Sequence, residues 1–506
     1  RPCSYFVVAR SASAEVLFLI GPDGWEGGRM AATLRSVGAA GGHPTVEQTY
    51  QKKTPLEHIL LRPDTYVGST SPRVHATYVF DDSLGRIVFR EVEFAPALYK
   101  IFDEILVNAS DHSRRDPKGM DLIEVTIDAS LGCITVRNTG AGIPVQLHKE
   151  HGCYVPELIF GQLLTGDNYD DSQAKLTGGR NGYGAKLANI FSKKFVVETL
   201  DEETHKKYRQ EFGANMSERK EPEVVHDAGR GYTKVTFWPD LERFGMTVLG
   251  SDVLSLMAKR VYDVAGAANG RFRVTLNGKC LPDSFQEYIR LYTGTKDLAE
   301  DWTPCAYQRS SDLWEVSIGI STVGFRQVSL VNSVCTTRGG THVAYVVDQI
   351  VEAVLRAAAP KNRGGMDIKP GYVKNHLWVF VNCSIENPAF DSQTKEALTT
   401  KAERFGSAAC ELSAATIRQV LKSGILESVL DFAKAKQKQE MGRQLRGHGS
   451  QARVHGVPKL EDALEAGSAT SQHCTLILTE GDSAKAMAVA GFSVVGRNRY
   501  GVFPLR

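Results

Sequence analysis

The chain has 506 residues, 42% hydrophobic and 23% charged, with 60 basic against 58 acidic side chains; this is ordinary globular composition with room for more than one domain. The near-neutral balance excludes a surface that grips nucleic acid all over, so contact with DNA would run through local basic patches. The nine cysteines show no C-x-x-C pair, which argues against a zinc ribbon or a disulfide framework, and no run approaches the ~20 apolar residues of a membrane span.

In chain order, residues 1–45 are rich in Gly, Ala and Ser and read as a disordered or mis-assigned leader. Their apolar stretch is broken by Arg10 and Glu15, so it lacks the core of a signal peptide. Residues 46–250 alternate helical and strand patterns around Gly-rich loops. Leu98, Ile101, Phe102, Ile105 and Leu106 have helical spacing, and Glu104 and Asn108, four apart, share the border of that stripe. A carboxylate there can polarise a water, and an amide oxygen can complete the octahedral shell of Mg²⁺. Taken alone, the pair reads as an exposed helix edge.

Ile123, Val125 and Ile127 alternate with polar residues, and Ile134 and Val136 continue across a turn at Gly132, which predicts a hairpin. Asn138-Thr-Gly-Ala-Gly-Ile-Pro144 follows at once. Gly140 and Gly142 permit a tight turn and close backbone approach, and an Asn at the strand end can donate to and accept from a purine edge. Thr177-Gly-Gly-Arg-Asn-Gly-Tyr-Gly-Ala-Lys186 then precedes a helical run, a backbone-lined anion cradle that does not keep P-loop spacing.

Residues 251–430 form a second mixed region, with strands expected at 272–276 and 377–382 and helices at 343–356 and 395–421. Residues 431–470 read as a basic helix end and linker, containing Lys434, Lys436, Lys438, Arg443, Arg446 and Arg453. Residues 471–506 open with a buried-strand pattern at 475–479, ending on Glu480-Gly-Asp.

The three Gly- and Asn-bearing pieces, in this order, resemble the GHKL (Bergerat) ATP-binding fold of type II topoisomerases, MutL-type mismatch-repair proteins, ninety-kilodalton heat-shock chaperones and sensor histidine kinases. That resemblance implies Glu104 as general base and Asn108 as ligand of the Mg²⁺ that accompanies ATP. It implies Asn138 at adenine, with Gly140 and Gly142 in the turn and Thr233 supporting the base side. Gly179, Arg180, Asn181, Gly182, Tyr183, Gly184, Ala185 and Lys186 would wrap the phosphates as a lid.

Longer runs resemble eukaryotic-type DNA topoisomerase II in particular. They are residues 50–68, Ile159-Phe-Gly-Gln-Leu-Leu-Thr165, Asn168-Tyr-Asp-Asp171, Asn387-Pro-Ala-Phe-Asp-Ser-Gln-Thr-Lys395 and Cys474-Thr-Leu-Ile-Leu-Thr-Glu-Gly-Asp-Ser-Ala484. The implied class is α+β: a GHKL α/β sandwich over 46–250, a ribosomal-S5-like transducer over 251–430, and the start of a TOPRIM domain over 471–506. Gln393, Thr394 and Lys395 would reach the nucleotide, with Lys395 at the γ-phosphate, and Glu480 would hold the TOPRIM Mg²⁺. The family is an ATP-gated clamp that passes one duplex through a transient break in another. Its cleavage residues beyond the first TOPRIM acid are absent from this chain.

The resemblance further implies a nuclear homodimer, joined through the ATPase domains and a strap around Tyr50–Lys53, with no membrane contact. Double-stranded DNA would meet Lys361, Arg363, Lys369 and Lys374. Three departures stand out. Gly166-Asp167 replaces two serines before Asn168 at the ribose-facing position, exchanging two hydroxyl donors for a carboxylate. Arg137 replaces an aromatic residue before Asn138, and Ala141 replaces a basic one. The competing readings are a non-cleaving ATP-dependent DNA clamp and, behind it, a gyrase B-like subunit.

Overall fold

The computed structural model describes residues 8–11, 14–17, 50–165, 175–179, 182–293, 304–362, 365–406, 409–447, 459–468 and 470–505. Residues 1–54 make one compact unit, and 55–506 make another. In the first, Val8–Ser11 pairs antiparallel with Ala14–Leu17, inside the stretch expected to be a leader.

The second unit is organised around helix α1 (Pro96–Arg115). Pro96 stands in the first turn, where its fixed φ suits a helix start and its missing N–H costs nothing. Leu98, Ile101, Phe102, Ile105 and Leu106 are all 3% exposed or less, so the stripe read from spacing is the buried face. His112, Arg114 and Arg115 in the last turn complement the negative end of the helix dipole.

Behind α1 lies a sheet built on β1 (Leu122–Asp128) and β2 (Cys133–Thr139), the expected hairpin. Helices α2 (Val155–Gly161) and α3 (Gly184–Ile190) follow, then β3 (Ser192–Asp201) and β4 (Tyr232–Pro239). In space β4 lies between β3 and β2, antiparallel to both. Helix α4 (Ser251–Ala268) packs on α1, and β5 (Arg273–Leu276) adds to the sheet parallel to β1. The first sheet therefore extends past the boundary at residue 250 that the sequence pattern predicts. A parallel neighbour needs a long crossover, and such a pairing leaves no trace in local periodicity.

The second region holds a five-stranded sheet that includes β6 (Trp314–Ile320), β7 (Arg326–Val331) and, after helix α5 (Thr341–Ala358), β8 (Leu377–Cys383). Strand β8 lies between β6 and β7 and is parallel to β7. Its side chains alternate between two cores. Leu377, Val379 and Val381 join Val346, Val347 and Ile350 of α5, whereas Trp378 and Phe380 join Val328 and Leu330 in the core of the first region. The near-continuous apolar run at 377–382 follows from burial of both faces.

Among the described residues, the helix expected over 395–421 is α-helical only at Ala414–Lys422, with a single 3-10 turn at Ala402–Arg404 before it, and it is capped by Ser413, whose Oγ accepts from the Thr416 amide. Ahead of it Lys395 has φ +62° and Ala397–Leu398 pairs with Gly339–Gly340. A left-handed residue followed by a strand cannot continue a helix. Farther on, Thr475–Thr479 pairs in parallel with Tyr500–Pro504 across the helix Asp482–Val495.

The Phe380 ring lies 5.3 Å from those of both Tyr292 and Trp378 and is fully buried where the two regions meet. Phe380→Ala is expected to lower stability by about 3–5 kcal/mol, the range for emptying a buried aromatic site, measured by urea unfolding. A loss below about 1 kcal/mol would show that this layer is not a tightly packed core.

Candidate active site

A cavity of about 480 Å³ opens between α1, β2, β4, α2, α3 and the turn at 393–395. Its lining includes Glu104, Asn108, Asn138, Gly142, Gly179, Gly182, Tyr183, Gly184, Ala185, Lys186, Thr233, Gln393 and Lys395. Residues spread over nearly three hundred positions of sequence therefore meet at one site. Gly140 and Thr394 are not in its wall. Gly166, Asp167, Asn168, Arg180, Asn181 and Arg363 lie outside the described residues.

At one side, Asn138 of β2 stands directly across from Thr233 of β4, flanked by the apolar Val136, Val235 and Ile143. Asn138 is 6% exposed, and its side-chain amide donates to the Thr139 carbonyl at 2.9 Å. The Thr199 hydroxyl accepts from the Ile143 amide at 2.9 Å and lies 3.2 Å from that of Thr233, which ties the Gly-rich turn to the sheet. Gly142 is required here: φ is +78°, and a Cβ would overlap the Leu200 carbonyl.

Glu104 is only 3% exposed, and one of its oxygens faces Lys100 Nζ at 2.7 Å and Lys395 Nζ at 3.2 Å. Burial alone would raise the Glu104 pKa, but Lys100 and Lys395 outweigh it and hold the carboxylate ionised. Asp103 beside it is held at about 2, because Arg260 at 2.6 Å and then Lys100 overcome its burial. Lys395 reaches the cluster from a left-handed backbone position, a mild strain kept at a functional turn. A Cβ on Gly184 would overlap the Glu104 carboxylate, so a side chain at the start of α3 would have to displace Glu104.

The Gly-rich stretch is anchored where it begins, at residues 175–179. Asp111 accepts from the amides of Gly178 at 2.9 Å and Gly179 at 2.8 Å. The Asn332 side chain donates to the Thr177 carbonyl at 3.2 Å, and the Asn387 amide donates to that of Lys175 at 3.0 Å. Lys186 is buried and donates to the Thr165 carbonyl.

Several site residues escaped the sequence reading. Lys100 could have been found, since it is one turn before Glu104 on the same face. Arg260 and Asp111 could not, because their partners are distant in sequence. His112 and Arg115 also line the cavity. Burial, then Arg115, lowers the His112 pKa, so a neutral imidazole faces the cavity, its Nε2 without a hydrogen-bond partner among the described residues.

The remaining candidates lie apart from the cavity wall. Glu480 is exposed at the end of Thr475–Thr479. Lys361, Lys369 and Lys374 are exposed; the first two face Glu427 at 3.5 Å and Asp367 at 3.8 Å, and the third lies over the Phe325 ring.

Burial raises the Asp111 pKa from 3.8 to about 6 despite its two amide donors. A group raised in the folded state contributes stability that is complete below its unfolded pKa and is lost as pH rises through the folded one. The parent chain should therefore lose stability relative to Asp111→Asn between pH 3.8 and about 6, then run parallel to it. Unfolding series at stepped pH read this directly, and a constant difference across the window would contradict it.

Residues 94–243 match the family "Histidine kinase-, DNA gyrase B-, and HSP90-like ATPase", and residues 284–447 match "DNA gyrase B". The chain is 50% identical over 479 residues to DNA topoisomerase 2 of Arabidopsis thaliana, covering 94% of this chain and 32% of that protein. It is 51% identical over 464 residues to DNA topoisomerase 2-alpha of Gallus gallus, covering 91% and 30%. It thus spans about a third of the length of these relatives. The ATPase region of Saccharomyces cerevisiae topoisomerase II superposes with a TM-score of 0.72 at 44% identity, covering 77% of this chain and 100% of that one. The ATPase and transducer domains of DNA topoisomerase II from Balamuthia mandrillaris give 0.73 at 47%, covering 78% and 100%. Likeness sustained over the whole of two solved ATPase regions makes this chain a member of the eukaryotic-type DNA topoisomerase II family, carrying its ATP-hydrolysing GHKL and transducer region.

Proposed function

We propose that this chain is the ATP gate of a homodimeric nuclear enzyme that passes one DNA duplex through a break in another. The observation that carries this reading is the Lys395–Glu104 contact at 3.2 Å, in which a residue of the second region enters the cavity built by the first. A γ-phosphate at that place would compete with Glu104 for Lys395. The second region would then feel whether the nucleotide is a tri- or a diphosphate.

In this reading Glu104, kept ionised and oriented by Lys100, accepts the proton of the attacking water. Lys395 and Gln393 take up charge on the transferred phosphoryl group, and the amides between Gly179 and Lys186 hold the phosphate oxygens. Asn138 and Thr233 hold the adenine edge. The donor set suits Mg²⁺, since Asn108 offers one uncharged amide oxygen to the cavity and triphosphate oxygens with water would complete an octahedral shell. When bound, the ion neutralises phosphate charge. Glu480 is assigned to a second Mg²⁺ that serves DNA cleavage in the whole protein.

Duplex DNA is assigned to Lys361, Arg363, Lys369 and Lys374, through phosphate contacts that position without reading sequence. Supporting this, the three described lysines are exposed on one stretch between α5 and β8. Dimerisation is assigned to the ATPase region with the segment Tyr50–Lys53, which is exposed along its length. These assignments and the nuclear location rest on kinship with the topoisomerase 2 proteins.

The test is Mg²⁺-dependent ATP turnover by the 506-residue chain with and without duplex DNA. Glu104→Gln should lower turnover by about 10²–10⁴-fold while an ATP analogue still binds. Lys395→Ala should lower it by about 10²–10³-fold and uncouple it from DNA. Turnover in Glu104→Gln within a few-fold of the parent would remove Glu104 from the role of base. A parent rate indifferent to DNA would favour an ATPase without a DNA-coupled gate.

A further inference from the structure

The loop from Pro144 to Val155 lies outside the chemistry derived above, yet it carries one unusual cluster. His148, Glu150 and His151 each present a ligand atom within 4.8 Å of the other two, the one such group among the described residues. The imidazoles are stacked, with centroids 4.7 Å apart and an interplanar angle of 27°. Neither of the glutamate and histidine at 150 and 151 is buried, and His148 is half-buried.

The backbone beneath them is already set. Leu147 bridges to Tyr154, the His148 amide donates to the Cys153 carbonyl at 2.8 Å, and the Gly152 amide donates back to the His148 carbonyl at 2.9 Å. Gly152 turns the loop at φ +64°, and the Val155 amide closes it on the Gln146 carbonyl at 3.0 Å. The Glu150 amide donates to His148 Nδ1 at 3.3 Å, which leaves Nε2 of that ring for a ligand. Metal–ligand bonds of about 2.0–2.2 Å need donors roughly 3.4 Å apart in a tetrahedron. Donors within 4.8 Å of one another would close that difference by side-chain rotation, and none of the three residues belongs to a buried core.

We propose that His148, Glu150 and His151 form a three-ligand site for a late first-row divalent cation of the zinc class, with the fourth position open to water. Two imidazole nitrogens and one carboxylate are the ligand set of open zinc sites, whereas Mg²⁺ and Ca²⁺ require oxygen cages. The site is therefore chemically separate from the nucleotide's Mg²⁺. It sits on a loop whose flanks, Ile143 and Pro144 on one side and Val155 and Leu158 on the other, line the nucleotide cavity.

The experiment is a zinc titration of the full chain against a chromophoric chelator in excess Mg²⁺, beside His148→Ala/His151→Ala and, separately, Glu150→Gln. The parent should hold one equivalent of zinc that Mg²⁺ does not displace. The double variant should lose that equivalent, weakening by more than about 100-fold, and Glu150→Gln should weaken by at least about tenfold. Circular dichroism and ATP turnover without zinc should match the parent in both variants. Cobalt bound to the parent provides a reading that needs no variant: ligand-field bands without thiolate charge transfer support the site. Equal zinc affinity in the double variant, or a thiolate band pointing to the cysteines, would overturn it.

Discussion

Two carboxylates and three cations share a nearly dry volume beside α1: Asp103, Glu104, Lys100, Arg260 and Lys395, none more than 6% exposed. Burying any of them alone would cost several kcal/mol. They are tolerable because each charge is answered, Glu104 by two lysines and Asp103 by Arg260 and Lys100. The cluster binds the pieces of the fold to one another. Lys100, Asp103 and Glu104 stand on α1, Arg260 on α4, and Lys395 on the turn beyond β8. Loss of one member leaves a neighbour charged and short of a partner, so the Glu104 carboxylate and the junction between regions cannot vary independently.

Hydrogen bonds extend this junction. Arg260 donates to the Ser333 carbonyl at 2.6 Å, and the Ser333 hydroxyl meets that of Ser110 on α1 at 2.9 Å. The neighbouring Asn332 holds both Thr177 and Ile385. The turn after β7 thus touches α1 on one side and the stretch entering the Gly-rich loop at Thr177 on the other. Its residues Asn332 and Ser333 are left-handed, the kind of backbone state that persists only when its surroundings over-determine it. Beneath it, the aromatic layer of Tyr78, Tyr292, Trp378 and Phe380 gives the two regions a common core. The two regions are therefore joined at the cavity by packed and hydrogen-bonded contacts.

The basic loop after α5 contrasts with this. Lys361 and Lys369 face acidic neighbours in high dielectric, where such pairs contribute little. They can exchange those partners for phosphate without disturbing anything buried. The chain's near-neutral total charge hides this division between buried charges paired with one another and exposed ones paired loosely at the surface.

The sequence by itself determined the local chemistry. The apolar stripe of α1 placed Glu104 and Asn108 on one edge, the alternation at 123–127 and 134–136 specified the hairpin, and the glycines at 140 and 142 marked a tight turn. Only tertiary structure decided the rest. That β5 joins the first sheet, that Ala397–Leu398 is a strand, that Arg260 answers Asp103 and that Asp111 holds the amides of Gly178 and Gly179 all depend on contacts between distant residues. Periodicity records which face of an element is apolar, whereas partner choice depends on which faces meet after the chain has closed its loops. Glu104 showed the division most sharply. Spacing put it beside Asn108 and one turn after Lys100, but its contact with Lys395 exists only once the second region has docked on the first.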